Sequence, residues 1–316
     1  MKKLDFIERG LRVLAVVVNF GSDMSYIVFD KNKVLRSVRL GSCDQELVSG
    51  EELKSILSGI VESNPELVYE PVYIILSAGC GVVYKTFTFA QESIMINGFR
   101  TTDAEKQASV LELIDSRKPF GLKGEYVSVI LTEYKTDVDY VLSCAYFPKA
   151  VLDNIRQCFV EANFSLFDVY SLAYGIYKAL DIQKFKQLII DCGDEYMLVN
   201  PLGTLVWAKP DNFDEDAAKQ FLVEQSKTIY GVDPDVADTM FVDRYRLSGY
   251  LLPGFSDEAG ADSVGASAFG LLGNISHKKA SKNPDVSDDK TGITREGGVK
   301  DVIAKLRFLF DAKGEK

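Results

Sequence analysis

The chain has 316 residues, 47% of them hydrophobic and 26% charged, the balance of an ordinary globular protein with enough length for two cores side by side. Its formal net charge of −10 repels nucleic acid and anionic lipid, so neither is expected as a general partner. A single histidine excludes a histidine-based metal site or catalytic triad, and five cysteines without a Cys-x-x-Cys pair read as buried, reduced thiols.

The start, Met1-Lys2-Lys3, carries the charge of a signal peptide, but Asp5, Glu8, Arg9 and Arg12 interrupt the apolar region such a peptide needs. No apolar run approaches the roughly 18 residues of a membrane-crossing helix. The expectation is a cytoplasmic chain that does not span the membrane.

In chain order, the apolar run Val13–Val18 ends at Asn19-Phe20-Gly21-Ser22-Asp23 and is followed by Tyr26–Phe29, the turn Asp30–Lys33 and Val34–Leu40, three predicted strands. Glu51–Glu62 places Leu53, Ile56, Leu57, Ile60 and Val61 on one helical face. Val72–Ser77 and Val82–Phe89 read as strands around Ala78-Gly79-Cys80-Gly81, making the first unit strand-strand-strand-helix-strand-strand. Thr102–Ser116 is a predicted helix with Glu105 in the capping-box position after Thr102. Beyond Pro119-Phe120-Gly121, Tyr126–Tyr134 and Tyr140–Phe147 form a predicted hairpin, Ala150–Glu161 a helix, Phe164–Val169 a strand and Ser171–Leu180 a helix.

About 170 residues after the first strand, the opening order recurs. Leu188–Ile190 leads into Asp191-Cys192-Gly193-Asp194, then Tyr196–Val199, the turn Asn200-Pro201-Leu202-Gly203, and Thr204–Ala208. Asp214–Tyr230 is a predicted helix whose acidic start, Asp211 to Asp216, suits the helix dipole. An extended Met240–Val242, the turn Ser248–Phe255 and a small-residue helix Val264–Gly273 follow. Residues 274–298 are rich in Ser, Lys, Asp and Gly and read as a flexible linker, and 299–316 carries an amphipathic helix with Val302, Ile303, Leu306, Leu309 and Phe310 on one face.

A strand that stops at a glycine turn and feeds two hairpinned strands, used twice, resembles the actin/Hsp70/sugar-kinase superfamily. Within it, residues 13–273 resemble the type IV pilus assembly protein PilM family, related to the cell-division protein FtsA. The resemblance is most specific in the middle, at Lys118-Pro119-Phe120-Gly121-Leu122 followed by Val127–Tyr134, and at Glu161-Ala162-Asn163 followed by Phe167-Asp168-Val169-Tyr170-Ser171-Leu172-Ala173.

This resemblance implies an actin-like α/β fold of duplicated, ribonuclease H-like halves. The first core would take residues 1–90 and 164–185, an inserted subdomain 91–163, and a reduced second core 186–273. It also implies a job: a cytosolic adaptor on a pilus or secretion platform that docks the short cytosolic N-terminus of a PilN-like membrane protein and links it to platform and motor proteins. The peptide is expected in a groove between the first core and the insert.

In this superfamily the two glycine turns hold nucleotide phosphates, so Asn19, Gly21, Ser22, Asp191, Gly193, Ser248, Gly249 and Tyr250 are the candidate nucleotide residues. A phosphate turn needs glycine for close approach and an Asp to organise magnesium. Asn19 stands at the Asp position without charge, Asp194 and Glu195 add two carboxylates, and Tyr250 replaces a glycine of the adenosine turn. The expectation is a vestigial site with no catalytic residue and no metal; the alternative is an actin-like protein that binds ATP with magnesium or hydrolyses it weakly, and that could polymerise.

Overall fold

The computed structural model describes residues 14–252, apart from 22–23, 31–32, 43, 45, 47, 49, 66–70, 91–109, 111, 113, 118–121, 123, 136–138, 163–164, 210–213, 232–238 and 244. Ser22, Cys43, the Pro119-Phe120-Gly121 turn and Asn163 therefore lie outside the described residues, as do the expected helix 264–273, the linker 274–298 and the terminal stretch 299–316. Of the helix expected over 102–116, only its last turns fall within them, where Val110 and Ile114 are buried.

Strands β1 (Leu14–Phe20), β2 (Met24–Asp30) and β3 (Lys33–Gly41) form an antiparallel meander, followed by helix α1 (Glu52–Ser63) and strand β4 (Pro71–Leu76). β4 returns parallel to β1, on the side away from β2. In β4 every residue from Val72 to Leu76 is buried, as a continuous apolar run should be when both faces of a parallel strand are covered. α1 buries Leu53, Leu57 and Ile60, each contributing about 1.5–3 kcal/mol when fully removed from water.

The order then repeats. β9 (Gln187–Asp191), β10 (Glu195–Asn200) and β11 (Gly203–Ala208) form a meander, and β12 (Thr239–Asp243) returns parallel to β9. Between them runs the second half's helix (Glu215–Tyr230), capped by Asp214, whose carboxylate accepts from Asp216 N–H at 3.0 Å, and ended at Gly231 with φ 65°. The strand orders are β3-β2-β1-β4 in the first half and β11-β10-β9-β12 in the second, the same layout twice. This duplicated α/β arrangement is the actin-like fold.

The first sheet has a fifth strand, β8 (Ser165–Ser171), parallel to β4. The sequence pattern assigned the segment 82–89 to the first core instead. That segment, β5 (Val83–Ala90), pairs along its whole length with β7 (Asp139–Pro148), which also pairs with β6 (Tyr126–Lys135) in a separate sheet of order β5-β7-β6. The physical reason is its alternation: Phe87 and Phe89 are buried while Thr88 is exposed, the pattern of a one-sided antiparallel strand. β5 thus carries the third sheet across the expected boundary at residue 90.

Helix α2 (Lys149–Glu161) buries Val151, Leu152, Ile155, Cys158 and Phe159 and packs on α1 and β8, although the sequence grouped it with the insert. Asn154 fixes it there by donating to the carbonyls of Val48 at 2.6 Å and Gly50 at 3.2 Å. Helix α3 (Leu172–Ala179) follows β8, its first turn capped by the Ser171 hydroxyl, which accepts from Tyr174 N–H. The helix over Glu215–Tyr230 is α4 in chain order.

A register shift between Ile130 and Thr132 turns two consecutive β6 side chains inward. Leu131 enters the main core, and Thr132 accepts from Thr204 N–H of β11 at 3.3 Å. The main core is shared by both halves: Phe20, Ile75 and Phe147 lie in one cluster with Leu188, Met197 and Val242. The two central strands β1 and β9 are held together by this core, and their ends define the cleft described next.

Candidate functional site

β9 stops at Asp191, and Gly193, with φ 95°, makes the left-handed step that the turn requires. Asp191 accepts from Gly193 N–H at 2.9 Å, and Cys192 N–H donates to the Glu195 carbonyl at 2.9 Å. This closed turn aims the side chains of Asp194 and Glu195 at the other half.

They land in the turn between β4 and β5. Ser77 N–H donates to the Phe20 carbonyl, and a short helical turn over Ala78–Cys80 follows, ended by Gly81 at φ 83°. Ala78 N–H donates to Glu195 Oε2 at 2.8 Å, and the Tyr84 hydroxyl from β5 donates to Glu195 Oε1 at 3.2 Å. The Ser77 hydroxyl donates to Asp194 Oδ2. A Cβ placed on Gly21 or on Gly79 would stand 2.7 Å from that same oxygen, so the carboxylate fits because both positions lack a side chain. The two glycine turns do face each other, as the duplicated pattern implies, and Asp194 fills the space between them.

Glu195 is fully buried, which pushes its carboxyl up to about 8; the charge of Asp194 adds to this, while Ala78 N–H and the Tyr84 hydroxyl pull it back. The Tyr84 hydroxyl is pushed well above its ordinary value by burial and by Glu195. Asp191 has a cation of its own: the Lys209 ammonium pairs with its carboxylate and sits 4.2 Å from the centre of the Tyr196 ring. Lys209 N–H also donates to the Asp194 carbonyl at 2.8 Å, fixing the turn from the second side.

Asn19 sits at the end of β1, its backbone paired with Ser25 of β2 and Ile75 of β4. The segment Ser248–Tyr250 forms a short helical turn bound to the exit of α3. Asp181 N–H donates to the Tyr250 carbonyl at 2.8 Å, Leu252 N–H to the Ala179 carbonyl at 2.9 Å, and Lys184 Nζ to the Leu251 carbonyl at 3.0 Å. Tyr250 packs edge-on against Phe185 at 6.1 Å between ring centres, with its hydroxyl 3.6 Å from the Met240 sulfur. Its described contacts are thus with core residues.

Of the candidate residues, Gly21 lies against the Asp194 carboxylate, and Asp191 and Gly193 belong to the turn that carries it. The structure adds Ser77, Ala78, Gly79, Tyr84 and Lys209, which the sequence reading did not single out as site residues. The available signal was the small-residue run Ser77-Ala78-Gly79-Cys80-Gly81 between two strands, a place where backbone can approach a ligand or a side chain closely.

No protein-family model matches this chain, and no curated protein sequence matches it. Among solved structures, it is similar to the PilM-PilN type IV pilus biogenesis complex, with 13% identity over 83% of this chain and 99% of that one, at a TM-score of 0.47. It is also similar to the cytoplasmic domain of EpsL, an inner-membrane component of the type II secretion system of Vibrio cholerae, with 10% identity over 73% of this chain and 82% of that one, at a TM-score of 0.44. A third likeness is to a Bacteroides thetaiotaomicron protein with an actin-like ATPase fold and unknown function, with 10% identity over 76% and 94%, at a TM-score of 0.42. The duplicated strand order, not these likenesses, carries the fold. Among the described residues no helix is long and apolar enough to cross a membrane.

Proposed function

We propose that the chain is an actin-fold adaptor of a type IV pilus or related secretion platform, acting by binding partners rather than by turning over nucleotide. The observation that carries this is the filling of the cleft from within: Glu195 and Asp194 accept from Ala78 N–H, the Tyr84 hydroxyl and the Ser77 hydroxyl. ATP with magnesium does not fit these residues. Asp194 and Glu195 already hold the donors, Asp191 is paired with Lys209, and a polyphosphate beside the Asp194 carboxylate would meet like charge worth about 4 kcal/mol per close pair at an effective dielectric near 20.

The partner side of the proposal rests on the resemblance of Lys118–Leu122 and Glu161–Ala173 to the PilM family. In it, an extended N-terminal peptide of a PilN-like membrane protein docks between the first core and the third sheet, where backbone pairing and a few apolar pockets supply affinity. The protein then works in the cytoplasm, on the inner face of the membrane through its partner, alongside platform and motor proteins.

Isothermal titration with ATP and magnesium tests the first part, with binding no tighter than millimolar expected; micromolar affinity would sink it. Fluorescence anisotropy with the N-terminal peptide of a PilN-like protein tests the second. A peptide that does not bind at concentrations up to about 1 mM, where even a weak complex of about −4 kcal/mol half-forms, overturns the docking assignment.

A further inference from the structure

We infer that residues 299–310 form an amphipathic helix that docks on this chain's own second half, beside α4, and covers Phe241 of β12. The segment lies outside the described residues; the place it would fill lies within them.

Ile74 and Phe241 occupy the same register of the duplicated plan. Ile74 pairs with Val18 two residues before the last pair of its ladder, Phe20 with Leu76, and Phe241 pairs with Ile189 two residues before Asp191 with Asp243. Ile74 has no exposed surface, whereas Phe241 is 43% exposed. The difference follows from what each half sets around its return strand. In the first half α2 packs on α1, and β8 pairs with the outer edge of β4. In the second half β12 ends its sheet among the described residues, and the chain runs on from Asp243 through the short turn at Ser248–Tyr250 to Leu252 without a counterpart of α2 or β8.

The ring of Phe241 lies on the α4 side of the sheet, with the Lys219 ammonium 4.8 Å from its centre. Lys219 pairs with Glu215 at 2.5 Å, and Asp243, two residues along the strand and so on the same face, is exposed. The floor is thus an aromatic ring set between acidic side chains. One half-exposed ring is too small to hold a second copy, since a stable interface buries about 1,200–2,000 Å². A tethered helix needs far less, because its linker supplies a high effective concentration.

The chain carries a segment of the required form beyond Leu252. Val302, Ile303, Leu306, Leu309 and Phe310 share one helical face; Lys305 stands one turn from Leu309 on one flank of it, and Arg307 one turn from Ile303 on the other. An apolar stripe with basic flanks matches an aromatic floor with acidic flanks. Residues 274–298, which have the composition of a coil, reach roughly 25–30 Å, enough to bring the segment back across one domain.

The experiment is amide hydrogen exchange on the full chain, read over residues 302–310 and, as an internal control, over β9 and β10. A helix this short is marginal in water by itself, so protection over 302–310 reports docking. Wild type should show that protection, unchanged from about 1 to 100 µM protein, as an intramolecular contact requires. Phe241→Ser should speed exchange over 302–310 about 10-fold or more and leave β9 and β10 as they were. Lys305→Glu with Arg307→Glu should speed it about 3-fold, and the effect should fade in about 0.5 M salt. Full exchange in wild type overturns the inference and means that the segment waits for a partner. Protection that grows with protein concentration overturns it in favour of a second copy, and protection that Phe241→Ser leaves intact overturns it in favour of another site. If Phe241→Ser also speeds exchange in β9 and β10, Leu306→Asp decides from the other side of the contact. It should release 302–310 and speed exchange at Met240–Asp243 while β9 and β10 hold; no change at Met240–Asp243 overturns the inference.

Discussion

The backbone N–H of Ala78 donates 2.8 Å to the carboxyl of Glu195, tying the turn after β4 of the first half to the start of β10 in the second. Both residues lie beside the ends of the central strands β1 and β9, so this bond is one of the contacts that join the halves.

Its pH dependence follows from burial. Glu195 has its carboxyl raised to about 8 in the folded chain against an ordinary 4.5, so between those values the native state holds a proton that the unfolded state has lost. Stability from this group is therefore fully present below about pH 4.5 and is lost as the pH rises through about 8, with a slope of at most about 1.4 kcal/mol per pH unit. Urea melts of wild type and Glu195→Gln from pH 5 to 9 isolate the term. The difference between them should grow with pH in favour of the variant and level off above the folded value. Parallel curves would mean that Glu195 does not titrate in this window.

Gly79→Ala should destabilise the chain by about 1–3 kcal/mol, the usual cost of forcing an atom into a packed site. Its added Cβ would lie 2.7 Å from Asp194 Oδ2 and 2.9 Å from Asp194 Cγ. Because the obstacle is one carboxylate, Asp194→Gly in the same chain should recover most of the loss. A double-mutant cycle reads this as a coupling of about 1 kcal/mol or more. Strict additivity would show that Gly79 is required for another reason.

The duplicated plan was legible because its signals are local. A strand ending in a glycine turn and two hairpinned strands leave the same pattern at Val13–Leu40 and Leu188–Ala208, and the structure lays both out in one strand order. The start of α4 was equally plain, since Asp214 caps it with its own side chain. The place of β5 was harder: its alternating Thr and Phe residues announce a one-sided strand but do not name the sheet it joins.

Asp194 and Glu195 stood out in sequence as charge unfavourable to phosphate. What the sequence could not convey is that they are acceptors for Ser77, Ala78 and Tyr84, because periodicity within a segment does not reveal which surface more than a hundred residues away it will face. Lys209 was missed for the same reason. Its pairing with Asp191 depends on β10 bringing the end of β11 back beside β9.

A second buried network makes a single hydroxyl matter. The Ser226 hydroxyl on α4 donates to Gln187 Oε1 at 2.8 Å and accepts from Asn200 Nδ2 at 3.2 Å, while Gln187 Nε2 donates to Thr239 at 3.0 Å. All four residues are buried, joining α4 to β9, β10 and β12. Ser226→Ala removes a single oxygen but leaves an amide oxygen and an amide N–H without this partner, and should cost about 1–3 kcal/mol in denaturant melts. A change within about 0.5 kcal/mol would mean that water or a rearranged Gln187 takes the place of the hydroxyl.

Thiol labelling offers a local probe of the joint between the halves. Cys80, Cys144, Cys158 and Cys192 are all buried, and burial, followed by the charge of Asp115, pushes the Cys144 thiol far above its ordinary value. None should react with a disulfide reagent except through opening of the structure. Cys80 lies in the turn that holds Glu195, and Cys192 in the turn that presents it, whereas Cys144 sits in the core of the third sheet. Asp194→Gly should therefore speed the labelling of Cys80 and Cys192 several-fold and leave Cys144 at its wild-type rate. Equal acceleration at all three sites would show that the variant loosens the whole fold, and that the carboxylate contact is not a local joint between two otherwise stable halves.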